Sequence, residues 1–322
     1  MTIEEEAMHP PSDSPVEMIL RDELAHGDGV LQSLAPILGH LVATAGNPLF
    51  NDQVVASIRG RAADVARQLL REQAAVAGLG DPDGFADAGV VELADALMNQ
   101  QGFLVHCHAL TIEAQTAEAL RSRSGIDPVV SPMLQSLIAS KSPEIAGGAM
   151  AILAAQARFF QQHARMELPL RELPGAIFEQ VLHTWRNFAG SDASTITAQA
   201  EGTLRSTFDE GMSRIGLLNR MISALGKDAR PALAVSNGGV SLFTSALAHI
   251  SDQARDTIVV ATSEQLVGRL ALSLRAAGLD ASVVAEQFAY FHPDIDLPEG
   301  FEALRQDRAQ ELLQHRKAGD AD

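Results

Sequence analysis

The sequence predicts an all-α protein, a multi-helical bundle that passes into shorter HEAT-like or α-solenoid helical pairs, with no transmembrane helix. First, 46% of its 322 residues are hydrophobic but only 4% are aromatic, so small aliphatic side chains must fill the core, whereas a β-sandwich would use more aromatic residues and Thr. Second, apolar residues recur at helical spacing along most of the chain. Third, the longest wholly apolar run, 145–155, is far shorter than the ~20 residues that span a bilayer.

Changes in composition divide the chain into four parts. Residues 1–14 are polar and Pro-containing and are predicted to be a disordered tail. Residues 15–226 form the main helical domain, and 227–292 a C-terminal unit of short helices. Residues 293–322 are a linker followed by a charged terminal helix. No fixed-period repeat is found, so the HEAT-like assignment rests on the rhythm of short helices and tight turns alone.

The main domain is predicted to contain nine helices separated by turn or proline signals. The first two are divided by a turn at His26–Gly29, and the ninth is interrupted near Gly202 or Gly211. The predicted helices are 15–25, 30–44, 52–76, 85–100, 103–122, 128–140, 143–168, 170–188 and 193–225.

The stretch Asp127–Pro174 has the most regular helical pattern and is predicted to be the central element. Ser142-Pro143-Glu144 is a helix start, because Ser caps, Pro fits the first helical position and Glu suits the positive end of the dipole. Gly147 and Gly148 would admit a close neighbour, and Met150 belongs to a second apolar line. The side chains predicted to be buried are Ile145, Leu153 and Phe160.

The C-terminal unit permits two interpretations. The first is a series of short helices at 229–235, 240–249, 252–262, 264–277 and 281–291, with turns at 236–239 and 278–280. The second is a βαβ unit whose strands are Asp256–Thr262 and Gly278–Val284, which would make this part a nucleotide- or receiver-like module. Helical neighbours favour the first interpretation, since a lone two-stranded parallel sheet is unusual.

The charge balance disfavours several partners. With 24 basic and 41 acidic residues the net charge is −17, which opposes sequence-independent nucleic-acid binding and an anionic membrane surface, and favours a basic protein partner. The single cysteine, Cys107, excludes an intramolecular disulfide framework. The start of the chain lacks an apolar signal core, so a cytoplasmic location is expected.

Two groups of residues are candidates for a metal or acid–base site. His106 and His108 lie two residues apart and point to different sides of a helix, while Glu113 shares the face of His106. His163 and Glu167 are four residues apart and share a face. In each case the ordinary interpretation is a histidine satisfied by its neighbours, so no catalytic, cofactor-binding or metal-binding residue is predicted.

Glycine-rich motifs do not extend this set. After Gly78-Leu79-Gly80 a dinucleotide loop requires glycine where Asp83 stands, and no strand precedes it. Gly226-Lys227 lacks the earlier glycine of a phosphate loop, and no Gly-x-Ser-x-Gly is present. No cofactor is therefore expected.

Three stretches together resemble a known group of proteins. They read DPVVSPMLQSLIAS, AMAILAAQARFFQQHARMELPLRELPG, and GGVSLFTSALAHISDQARDTIVVAT followed by RAAGLD. Over about residues 103–294 the chain resembles sphingomonad and other alphaproteobacterial proteins with an all-helical domain of unknown function built from HEAT-like pairs. The resemblance implies a cytoplasmic bacterial helical protein and supplies no catalytic residues.

The function predicted from these observations is a non-enzymatic helical scaffold or regulatory adaptor that binds another protein. A helical enzyme or small-ligand or metal binder, with a site near His106, His108 and His163, is the alternative. A nucleotide- or receiver-like βαβ module in the C-terminal unit is a third hypothesis. A homo-oligomer is compatible with the sequence, whereas nucleic acid and membrane are not expected partners.

Overall fold

A computed structural model describes residues 14–43, 52–191 and 193–314 of the chain. The described residues form fourteen α-helices and contain no β-strand, which confirms the predicted fold class. The predictions for residues 1–13 and for the end of the terminal helix lie outside the described ranges. The helices are α1 Pro15–Ala43, α2 Asp52–Val76, α3 Pro82–Met98, α4 Gln101–Ser124, α5 Pro132–Ile138, α6 Pro143–Arg165, α7 Gly175–Ala189, α8 Ser194–Thr207, α9 Arg214–Leu225, α10 Val235–Ile250, α11 Arg255–Ala261, α12 Val267–Ala276, α13 Ala281–Phe291 and α14 Gln306–Gln314.

Helix starts follow the local sequence signals. Ser142 caps α6 as predicted, since its Oγ accepts from the amide of Ile145 and Pro143 is the first helical residue. Ser131 caps α5 in the same way, ahead of Pro132. Side-chain oxygens at these positions satisfy amides that have no partner inside the helix.

Several predicted boundaries are confirmed. The helices predicted at 52–76 and 281–291 are α2 and α13. The predicted interruption near Gly211 is present as a short 3-10 helix at Glu210–Met212, between α8 and α9. A second short 3-10 helix, Leu170–Glu172, precedes α7, so the single helix predicted at 170–188 is wrong.

The predicted turn at His26–Gly29 is also wrong, because α1 continues through it. A Cβ on Gly27 would lie 2.7 Å from a methyl carbon of Leu266, and Asp28 forms an ion pair with Arg269 of α12. Contacts with a distant part of the chain therefore hold these residues helical, against their weak helix propensity.

The βαβ interpretation is wrong, since residues 255–261 are α11 and the segment from Gly278 leads into α13. Ile258, Val259 and Val260 are all buried. A short β-branched run that is buried all round has no polar face, and its periodicity cannot separate strand from helix. The surrounding helices decide the conformation.

The turn predicted at 236–239 is a kink inside α10. Gly239 has φ 64° and ψ 174°, and the rest of α10 is helical on both sides of it. Only glycine adopts this conformation without strain. Residues 240–248, which follow the kink, are all buried.

The central stretch packs through a different face from the one predicted. Ile145, Leu153 and Phe160 are only half-buried, and Met150 is exposed, so their predicted burial is wrong. The predicted line consists largely of residues spaced four apart. In a helix with 3.6 residues per turn, each such step exceeds one turn by about 40°, so the line winds away from the buried face. The side chains that α6 buries are Ala149, Ile152, Ala155, Gln156 and Phe159.

The helix at the centre of the fold is α4, not the predicted α6. It packs against α1, α2, α3, α6, α7, α10, α11 and α13. The buried apolar side chains form one cluster that extends from Val16 to Leu313. The boundary at residue 227 stays a prediction. No helix in the described ranges is sufficiently long and apolar to cross a membrane.

Candidate functional site

Helix α4 carries polar side chains into the core, where they meet three arginines from other helices. Arg61 comes from α2, Arg214 from α9 and Arg255 from α11. Arg61, Arg214 and Glu113 of α4 are buried, and the side chain of Arg255 is 8% exposed. We call these four residues the arginine cluster. Charged groups are seldom buried unless they are paired, so the cluster is the least ordinary feature of this core.

Glu113 binds two guanidinium groups at once. Nη1 and Nη2 of Arg214 donate to its Oε1 and Oε2 at 2.7 Å each. Nη2 and Nη1 of Arg255 donate to the same two oxygens at 2.7 and 3.0 Å. Burial opposes the charged carboxylate, but the two guanidiniums outweigh burial and hold the pKa of Glu113 well below its usual range. Glu113 is therefore an ion-pair acceptor and not a general acid or base.

Both arginines that bind Glu113 stand at the first position of a helix. Arg214 follows Ser213, whose Oγ caps α9 by accepting from the amide of Gly216. Arg255 begins α11. The positive end of the helix dipole disfavours a cation at a helix N-terminus. The carboxylate of Glu113 offsets this unfavourable interaction for both arginines.

Neutral polar groups complete the surroundings of Glu113. Ser241 of α10 donates to its Oε1 at 3.1 Å, and Gln156 of α6 donates to Ser241 and accepts from Arg214. The guanidinium carbon of Arg214 lies 3.8 Å from the ring centroid of Phe159, a cation–π contact. Helices α4, α6, α9, α10 and α11 are thus joined through one set of hydrogen bonds.

Arg61 is bound differently, because its hydrogen-bond acceptors are all neutral. Its Nη1 donates to the carbonyl of Cys107 at 2.8 Å and to Oγ1 of Thr111 at 2.6 Å. Its Nη2 donates to Nδ1 of His163 at 2.7 Å. Cys107 and Thr111 are four residues apart and share the face of α4 that packs on α2.

His163 lies at the edge of a small cavity of about 20 Å³. Burial, and then the nearby Arg61, lower its pKa to about 4, so the ring is neutral at pH 7. Because arginine can only donate, Nδ1 of His163 accepts and the ring proton is on Nε2. The residues around the cavity are Arg61, Leu110, Phe159, Gln162, His163, Glu167, Leu168, Glu172, Arg214 and Ile215.

His106 and His108 do not share this cavity. Nδ1 of His106 lies 2.8 Å from a carboxylate oxygen of Asp256. His108 is buried on another side of α4, where Nδ1 has no hydrogen-bond partner and burial lowers its pKa to about 4. Of the predicted pairs, His163 and Glu167 are brought together, while His106 and Glu113 bind neighbouring residues of α11 separately.

The described part of the chain contains no group of three or more His, Cys, Asp or Glu side chains arranged to hold a metal ion. Cys107 is fully buried, and burial raises the pKa of its thiol to about 12. A thiol that remains protonated at pH 7 is a poor nucleophile and a poor metal ligand.

Analysis of the sequence missed Arg61, Arg214 and Arg255. Arginines in an acidic chain are expected at the surface in exposed ion pairs, and nothing local distinguishes these three. One signal was available, since Arg214 and Arg255 each stand at a helix start, where a cation is unfavourable unless a carboxylate from elsewhere binds it.

No protein-family model, curated protein or solved structure matched the chain. The resemblance to the alphaproteobacterial helical family stays a prediction.

Proposed function

We propose that the chain is a non-enzymatic, cytoplasmic helical scaffold or regulatory adaptor that binds another protein. The observation that carries the proposal is the arginine cluster. Glu113, a buried carboxylate at the centre of this cluster, is fully bound by Arg214 and Arg255. Such a network fixes the relative positions of helices and supports a structural role.

The helical pair α2–α3 supports the HEAT-like part of the proposal. Arg71 pairs with Asp83 and Arg67 with Asp87, so one residue number falls as the other rises and the two helices run antiparallel. Antiparallel pairs of this kind are the units that HEAT-like proteins stack.

The composition of the surface supports a protein partner. Among the described residues, four large apolar side chains on separate elements are more than half exposed: Met18 at 51%, Val91 at 64%, Met150 at 52% and Met212 at 58%. The net charge of −17 favours association with a basic surface. Apolar contacts surrounded by charge are typical of protein interfaces.

Site-specific photocrosslinking in the cells that produce the protein tests the proposal. A photoreactive phenylalanine analogue replaces Val91, Met150 or Met212 in turn, and exposed Lys141 is the matched control position. We expect at least one apolar position to give an adduct of discrete mass that the control does not give. Mass spectrometry identifies the partner. If all three positions give no adduct and the protein is monomeric in those cells, the scaffold proposal is wrong.

A further inference from the structure

Arg61 is a buried cation without a carboxylate partner. Its side chain is 1% exposed, and Cys107, Thr111 and His163 supply neutral acceptors only. Within the described ranges no Asp or Glu lies within ion-pair distance of its guanidinium. Burial lowers the pKa of Arg61, yet arginine stays protonated in proteins, so the charge must be stabilised by other means.

The arginine cluster carries more positive than negative charge. Arg61, Arg214 and Arg255 bring three positive charges into the core, and the carboxylate among them, Glu113, brings one negative charge that Arg214 and Arg255 already share. The positive charge of Arg214 lowers the pKa of Arg61, and the negative charge of Glu113 raises it. Within the arginine cluster three guanidiniums therefore accompany one carboxylate, while Glu167 and Glu172 line the adjoining cavity.

Other carboxylates near the cluster are engaged elsewhere or only partly buried. Asp256 binds His106. Glu172 lines the cavity, but its Oε2 accepts from the backbone amide of Arg214 at 2.7 Å. Glu167 also lines the cavity and is half-buried. None of the three lies within ion-pair distance of Arg61.

The cavity beside Arg61 has the size and polarity to hold one small ion. Its volume of about 20 Å³ exceeds the roughly 10–15 Å³ that a single water-sized species requires. Its polar lining consists of two cations, two neutral donors and two carboxylates: Arg61, Arg214, His163, Gln162, Glu167 and Glu172. The cavity is too small for phosphate or sulfate, which carry four oxygens.

We propose that this cavity is a binding site for one small monovalent anion of the halide class, with chloride as the natural occupant. The guanidinium of Arg61 supplies the charge, and Nε2–H of His163 and the side-chain amide of Gln162 supply further donors. The bound anion neutralises Arg61 and stabilises the contact among α2, α4 and α6. The anion site does not depend on the scaffold proposal, which photocrosslinking tests separately.

Thermal unfolding of the full chain tests the site with defined salts. The protein is first exchanged into a chloride-free gluconate buffer, and sodium chloride, bromide or sulfate is then added at constant ionic strength. A ligand that binds only the folded state raises Tm in a saturable manner. We expect saturation with chloride and bromide and none with sulfate. Equal effects of chloride and sulfate, or no saturable effect, would overturn the proposal.

Amino-acid substitutions show whether the effect of chloride on Tm arises at this cavity. Arg61→Met should abolish the chloride-dependent rise in Tm. If that variant does not fold, His163→Phe takes its place and should raise the half-saturating chloride concentration about tenfold, as expected for one lost hydrogen bond to a charged group. Arg67, on the same helix, is partly exposed and pairs with Asp87. Arg67→Gln is the control and should behave as the wild type.

Anomalous scattering from crystals grown in bromide gives the position directly. A bromide peak within hydrogen-bond distance of Arg61 and His163 supports the site. A saturable halide effect with bromide bound only at other positions overturns it.

Discussion

Glu113 and Arg214 form a buried bidentate ion pair, in which two parallel N–H···O hydrogen bonds of 2.7 Å join α4 to the first residue of α9. The two residues are 101 positions apart in the chain. Bidentate geometry fixes both the distance and the orientation of the two groups. This pair, extended by Arg255, connects the middle of the sequence to its last third.

Glu113→Gln keeps the shape of the side chain and removes its charge. Two buried guanidiniums then have no counter-charge, and we expect the free energy of unfolding to fall by about 3–5 kcal/mol. Urea unfolding followed by circular dichroism measures it. The control is Glu118→Gln on the same helix, an exposed residue that pairs with Arg121, which should leave the urea midpoint unchanged. Equal midpoints for the two variants would show that the ion pair is unimportant for stability.

His108 should make stability depend on pH. Burial lowers its pKa from 6.5 to about 4, so between these values the unfolded chain binds a proton that the folded chain does not. Stability is then complete above pH 6.5 and falls as the pH falls towards 4, by up to about 3 kcal/mol.

His108→Gln should remove this part of the pH dependence, as measured by urea unfolding at pH 7, 6, 5 and 4. Since burial also lowers the pKa of His163 and His292, the slope should decrease and not vanish. Exposed His183, changed to Gln, is the control. An unchanged slope in the His108 variant would contradict the prediction.

Ile152 and Leu153 are adjacent residues of α6. Ile152 lies on the face that the structure buries, and Leu153 lies on the face that was predicted to be buried. Ile152 is 2% exposed and Leu153 is half-buried. Ile152→Ala should cost about 2–5 kcal/mol of unfolding free energy, and Leu153→Ala roughly 1 kcal/mol, because less apolar surface is lost from the core. Chemical denaturation of the two variants side by side gives the comparison, and the reverse order would mean that α6 is rotated.

Alanine substitutions at two glycines should change the stability of the protein in opposite directions. At Gly239 the positive φ and a Cβ placed 3.2 Å from that of Ser131 should make Gly239→Ala destabilising by about 1–3 kcal/mol. Gly147 lies inside α6, where an added Cβ meets nothing within 4 Å, and Gly147→Ala should stabilise by roughly 0.5–1 kcal/mol. Differential scanning calorimetry of each variant measures both shifts, and a Tm of Gly239→Ala equal to or above that of the wild type would contradict the kink.

Local signals were sufficient where one segment determines its own conformation. Ser142 with Pro143 set the start of α6, and the periodicity of residues 52–76 set α2, because caps and apolar spacing act within a few residues. They were insufficient at His26–Gly29, where weak helix formers stay helical through the contact of Asp28 with Arg269. They were also insufficient at 256–262, where burial on all sides hides the helical period.

The sequence by itself determined that this protein is all-helical, acidic and built around small aliphatic side chains, since these properties depend on composition and on spacing within single helices. Only the tertiary structure decided that α4 is the central helix and that Glu113 binds Arg214 and Arg255. It also decided that Arg61 lies beside a small cavity with no carboxylate of the described residues within ion-pair distance of its guanidinium. The physical reason is the distance along the chain over which each interaction acts. A cap or an apolar stripe acts over a few residues, whereas a buried charge is stabilised by groups on helices that are far apart in the chain.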